Sequence, residues 1–154
     1  MMAVADRLRE LGIELPAVTA PLAVYRPAVR AGNLLIVSGQ IAVRDGALVH
    51  PGKLGADVTV EQGFEAARVC AINALAAADD LMGALDGLRV LRTVGYVAST
   101  PEFAQHPAVI NGASELFRDV LGEDLGIGAR VAFGVAALPN NTCVEVEVMM
   151  EILT

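Results

Sequence analysis

A chain of 154 residues with 55 % hydrophobic content holds enough apolar material for one sizeable core, and its net charge of −7 leaves no basic footprint for nucleic acid. No apolar run approaches the roughly 20 residues of a membrane span, and the charged start, Met1 to Glu10, lacks the apolar centre of a leader. A cytoplasmic protein without a membrane partner is therefore expected. Cys70 and Cys143 show no CxxC spacing and read as buried thiols, not as a disulfide or a zinc site.

The whole chain, 1–154, reads as one domain with residues 1–20 as an N-terminal helical extension. Asp6 to Leu11 is patterned as a short amphipathic helix that Gly12 stops, with Leu8 and Leu11 on its inner face. Val24 to Val29 and Leu34 to Val43 are strand-like, and the Arg30-Ala31-Gly32-Asn33 stretch between them carries turn chemistry. A two-residue loop at Ala31 and Gly32 would place Tyr25 opposite Ser38. The glycine-rich stretch Arg44 to Asp57 reads as a loop at the sheet edge.

Thr59-Val60-Glu61-Gln62 fits a capping box, and Phe64, Ala67, Ala71, Ala74, Leu75, Ala78 and Leu81 recur at helical spacing until Gly83. Their small side chains suit close packing on a sheet. Leu88 to Ala98 is the next strand, and a second long helix follows from about Pro107 to Leu121, ended by Gly122. After the connector Glu123 to Gly128, two alternating runs flank Pro139-Asn140-Asn141-Thr142 and read as a closing β-hairpin. Its apolar face would be Val131, Phe133, Val135, Val144, Val146, Val148 and Met150. The other face would gather Arg130 with Glu145, Glu147 and Glu151. The predicted order is ββαβαββ.

Two segments carry a family resemblance. Gly32-Asn33-Leu34-Leu35-Ile36-Val37-Ser38-Gly39-Gln40-Ile41 resembles the hallmark strand of the Rid family, the reactive-intermediate deaminases also called YjgF-like proteins or the L-PSP endoribonuclease family. Gly128-Ala129-Arg130, then Val135-Ala136-Ala137-Leu138-Pro139 and Val144-Glu145-Val146-Glu147, resemble that family's Ala-Arg, Leu-Pro and Glu-x-Glu signature in order and spacing. The longer N-terminus and the Val109 to Ser114 run are similar to a long-form branch. The resemblance implies an α+β, chorismate-mutase-like fold, a sheet backed by two helices, assembled as a homotrimer with ligand clefts between subunits. It puts the carboxylate-gripping arginine at Arg130 and the carboxylate beside the reacting water at Glu145. Tyr25, Ser38, Gly39 and Asn111 fall on its remaining substrate-binding positions. Ala132 replaces the cysteine that the best-known members carry two residues after the arginine, and Val131 replaces their serine.

The activity so implied is hydrolysis of 2-imino acids, that is enamines or imines, to 2-keto acids and ammonia, with no cofactor and no metal. The residue types suit it. C2 of an imine is already electrophilic, so the reaction needs orientation, a held water and a proton shuttle. Other readings stand beside this one: a non-catalytic trimer that binds a small carboxylate metabolite or a protein partner, and an endoribonuclease, which the acidic chain disfavours. Arg130 is also placed to pair with Glu151 across the expected hairpin. In that hairpin Glu145 faces Ala136, six residues of strand from Arg130, or roughly 20 Å. The two side chains would then meet only across a subunit interface. His50 and His106 show no ligand spacing and stay outside the predicted site.

Overall fold

A computed structural model describes residues 1–21 and 23–153. Helix α1 (Val4–Glu10) precedes strands β1 (Ala28–Ala31) and β2 (Leu34–Ile41), then a small hairpin of β3 (Val43–Arg44) and β4 (Ala47–Leu48). The long helix α2 (Val60–Met82), strand β5 (Leu88–Ala98), helix α3 (His106–Leu121), a single turn α4 (Glu123–Gly126), strand β6 (Ala129–Val135) and strand β7 (Val144–Ile152) complete it. Five strands make one mixed sheet in the order β1-β2-β7-β5-β6, and α2 and α3 cover one side of it. Among the described residues no helix is long and apolar enough to cross a membrane.

Local chemistry sets the helix ends. Thr59 and Gln62 form the reciprocal capping box, and Gly83 closes α2 in the left-handed conformation at φ 80°. The alanine stripe does what small residues allow. Ala67, Ala71, Ala74 and Ala78 are fully buried, and α3 comes so near that Gly112 rests on the backbone of Phe64. In α1 only Leu8 is buried, whereas the predicted second inner residue, Leu11, is 39 % exposed because it lies past the helix end at the C-cap.

The expected closing hairpin does not exist. β6 pairs in parallel with β5, while β7 runs antiparallel between β5 and β2. The cause is the crossover: a strand, a helix of four turns and a second strand return the chain parallel beside its starting strand, as right-handed connections require. That step fills the outer edge of β5 with β6. β7 takes the inner edge, where Val144, Val146, Val148 and Met150 are sealed under the helices. A short 3-10 turn at Pro139–Asn141, with Asn140 and Asn141 at positive φ, carries the chain across.

Two further expectations change. The turn between β1 and β2 is Gly32-Asn33, since Ala31 pairs with Leu34 and Ala28 with Val37. Tyr25 consequently lies before the first strand and is not opposite Ser38. The stretch Arg44 to Asp57 is not wholly loop either. Asp45 and Gly46, both at positive φ, make the tight turn between β3 and β4, and Asn73 of α2 donates to the carbonyls of Ile41 and Val43 to hold that hairpin down.

The contact between α2 and α3 yields a stability test. A methyl group at Gly112 would strike the Phe64 carbonyl, a backbone atom, whereas one at Gly63 meets only the ends of Leu54 and Val109, 3.0 and 3.1 Å away. Gly112→Ala should destabilise the fold by about 2 kcal/mol or more. Gly63→Ala should stay within about 1 kcal/mol of the parent, since improved helix propensity offsets the strain. Equal effects in urea unfolding would contradict this packing.

Candidate active site

β6 is the edge strand, and its alternation decides where Arg130 points. Arg130, Ala132 and Gly134 face the helix side, in one row with Thr93 of β5 and Val148 of β7. Val131 and Phe133 face the other way, onto the side of the sheet without helices, where they are 38 % and 40 % exposed. The predicted apolar face therefore splits, because β6 and β7 are not neighbours and need not share a phase.

Arg130 reaches up to α3. One of its terminal nitrogens, Nη1, donates to Asn111 Oδ1 at 2.8 Å and to Ser114 Oγ at 3.3 Å. Among the described residues Nε and Nη2 make no hydrogen bond, and those two donors have the side-on fork geometry that matches a carboxylate. Arg130 does not pair with Glu151. That carboxylate takes two hydrogen bonds from Arg89, its cross-strand partner on β5.

Glu145 belongs to a second cluster. The register between β2 and β7 slips between Val37 and Gln40, so Ser38 and Gly39 form a bulge across from Glu147, one pair along from Glu145 and its partner Ile41. Gly39 lies directly against the Glu145 carboxylate, with no room for a Cβ between them. Ser38 Oγ donates to the Arg26 carbonyl at 2.5 Å, and Ser38 N donates to the Pro27 carbonyl at 2.9 Å, which ties the segment after Tyr25 to the bulge. Tyr25 itself is 57 % exposed. Burial, with the neighbouring charge of Glu147, holds the Glu145 carboxyl above the usual carboxylate range. Tyr96, cross-strand to Glu145, donates to Glu147 Oε1 at 3.0 Å and packs edge-on against Phe133.

The six predicted site residues thus fall into two groups. Arg130 and Asn111 touch each other on the helix side of β6. Ser38, Gly39 and Glu145 gather at the β2 bulge, and Tyr25 precedes the Arg26 and Pro27 carbonyls that bond Ser38. The lateral row through Glu145 runs by Tyr96 to Phe133, three residues beyond Arg130. Two strand spacings and three residues of rise put the two backbones about 14 Å apart. This replaces the hairpin estimate. The side chains also project from opposite faces of the sheet, so one chain cannot bring them together.

Sequence reasoning missed Ser114, although it stands one helical turn from Asn111, and it missed the pairing of His106 with Ser99, whose Nε2 and Oγ are 3.1 Å apart. It also passed over a carboxylate near His50, which contacts Glu65 Oε2 at 2.7 Å beside Arg44 and holds the Glu65 carboxyl below its ordinary value. Burial pushes the Cys143 thiol up to about 11 and raises Cys70 as well, in keeping with two packed thiols.

A five-stranded mixed sheet with two covering helices and this pair of clusters defines an α+β, chorismate-mutase-like protein. The family described as "YjgF/chorismate_mutase-like, putative endoribonuclease" matches residues 5–152, and the chain belongs to it. Protein TCP17 of Trypanosoma cruzi is 42 % identical over 150 residues, covering 97 % of this chain and 94 % of its own length. The crystal structure of Atu1372 from Agrobacterium tumefaciens, a protein of unknown function, is similar at 45 % identity and a TM-score of 0.88, with 97 % and 92 % of the two chains covered. A Shewanella oneidensis MR-1 protein that carries the endoribonuclease description is similar at 31 % identity and a TM-score of 0.92, with 97 % and 99 % covered.

The raised Glu145 pKa has a measurable sign. The folded state holds this proton longer than the unfolded chain, whose ordinary value is 4.5, so the contribution to stability is complete below pH 4.5 and is lost as pH rises through the folded value. Glu145→Gln, which cannot ionise, should lose less stability than the parent as pH rises from 4.5 through the folded value in urea unfolding. Parallel pH curves for the two proteins would contradict the assignment.

Proposed function

We propose that this protein hydrolyses 2-imino acids to 2-keto acids and ammonia in clefts between the subunits of a homotrimer. One observation carries the reading: Arg130 is held by neutral partners on α3 through Nη1 alone, so its charge and its fork are left for a carboxylate ligand. Arg89, by contrast, is paired with Glu151 of its own chain.

Chemistry then assigns the other group. With the substrate carboxylate on the Arg130 fork, C2 is fixed in place and a water must approach it. Glu145, whose raised pKa makes it a stronger base than an exposed carboxylate, removes a proton as the water oxygen bonds to C2. The C=N bond becomes a C–N bond, and the nitrogen takes back from Glu145 the proton drawn from water, which gives a carbinolamine. Glu145 then carries the hydroxyl proton of the carbinolamine to the nitrogen, the C–N bond breaks with its pair going to nitrogen, ammonia leaves and the C=O of the ketone forms. The atoms balance with water as the only co-reactant. The bulge at Ser38 and Gly39 lies against the carboxylate, and the exposed Tyr25 is assigned to cover the bound ligand.

The same geometry supports the assembly. The side of the sheet away from the helices exposes Val29, Ile36, Val131 and Phe133, an apolar surface that calls for cover. Three sheets facing one another would bury it and bring the edge strand of one chain to the bulge of the next. RNA cleavage is less well supported, since a chain of net charge −7 offers little against a phosphate backbone.

The test is ammonia release from imines formed in situ by an amino-acid oxidase. Arg130→Lys keeps the charge but not the fork, and should lower kcat/KM about a hundredfold, the value of one charge-assisted bidentate contact. Near-parental turnover by the lysine variant would remove Arg130 from this role.

A further inference from the structure

The helix-side row of β6 that starts at Arg130 has a second polar end. The residues after Arg130 in that row are Ala132, which packs against the core, and Gly134, so only small residues lie between the two ends on this strand. At the far end His106, the first residue of α3, meets Ser99, the residue after β5, at 3.1 Å through Nε2 and Oγ. Phe103 packs edge-on against the imidazole at 5.1 Å between ring centres, which fixes its plane.

Gly134 explains why this pair is built rather than incidental. It does not occupy a positive-φ conformation, so the backbone does not require glycine there. Space does. A Cβ at this position would lie 2.6 Å from Ser99 Oγ and 2.7 Å from His106 Nε2. The missing side chain lets the imidazole and the hydroxyl meet over the strand, and Gly134 itself is open to solvent. His106 is half-buried, and among the described residues Ser99 is the only side chain hydrogen-bonded to its ring. Nδ1 of the ring and the hydroxyl's remaining capacity are therefore available, among the described residues, to a ligand alongside the pair.

The spacing says what kind of ligand. His106 and Asn111, which holds the Arg130 guanidinium, are five residues apart on α3, about 7.5 Å along the axis. That span suits a short substrate with a hydrogen-bonding group at each end. We infer that the His106–Ser99 pair is a specificity subsite for the distal polar group of the substrate, so that this chain favours imines of dicarboxylic or carboxamide amino acids over those with alkyl side chains. The inference rests on the proposed function, since it takes the near carboxylate to be bound at Arg130.

The test reads binding and turnover separately. Calorimetry measures 2-oxoglutarate and 2-oxobutanoate, the keto-acid products with and without a distal carboxylate, and coupled assays measure the corresponding imines. His106→Ala should weaken 2-oxoglutarate binding and lower kcat/KM for its imine at least tenfold while changing the alkyl pair less than twofold. His106→Gln, which can still donate, should recover part of the selectivity, and Ser99→Ala should lose part of it. An equal loss on both ligands, or none on either, overturns the subsite. Arg130→Ala keeps the two claims apart. If it abolishes binding of both keto acids while His106→Ala leaves their ratio unchanged, only the subsite falls. If Arg130→Ala leaves both unaffected, or the parent protein binds neither, the proposed function falls and the subsite with it.

Discussion

The place of β7 in the middle of the sheet is the constraint on which the rest depends. The β5-α3-β6 crossover occupies the outer edge of β5 and leaves the inner edge for the last strand. Once there, its alternation is forced. Val144, Val146, Val148 and Met150 seal the core under α2 and α3, and Glu145, Glu147 and Glu151 must face the other way. Arg130, on the outermost strand, keeps the helix side. The separation of the two principal charged groups is thus a product of topology and not of local sequence.

That separation gives the uncovered sheet face its meaning. A half-buried carboxylate with a raised pKa, a tyrosine bonded to a second carboxylate, and four exposed apolar side chains share this surface. Solvent alone would be a poor environment for it. In the proposed trimer the face becomes interior, and each edge strand carries its arginine to a neighbour's bulge.

Much of this was legible in the sequence, for identifiable reasons. The capping box at Thr59 and Gln62, the glycine stop at Gly83 and the bounds of β5 depend on neighbouring residues, and they were read correctly. Asn111 was singled out by the family resemblance alone, as a substrate-binding position, and its hydrogen bond with Arg130 was not foreseen. The closing hairpin failed because two alternating runs with a turn between them fit a hairpin and a strand-skipping connection equally well. The better signal was the long helix before Ala129, which marks a parallel crossover. Tyr25 was misplaced because moving the turn from Ala31-Gly32 to Gly32-Asn33 shifts every partner on β1. The pair of Ser99 and His106 was hidden because neither residue has a recognisable spacing, and the glycine that admits them is on a different strand.

Subunit mixing tests the central claim most directly. Arg130→Ala and Glu145→Ala chains are each expected to be inactive as pure assemblies, since every cleft then lacks one group. A mixed trimer has one cleft built from the intact Arg130 of one chain and the intact Glu145 of its neighbour, so dissociation and co-refolding of the two variants should restore imine hydrolysis to a fraction of the parental rate. Mixed trimers shown by mass spectrometry to have exchanged subunits, yet still inactive, would contradict the shared cleft and with it this account of the site.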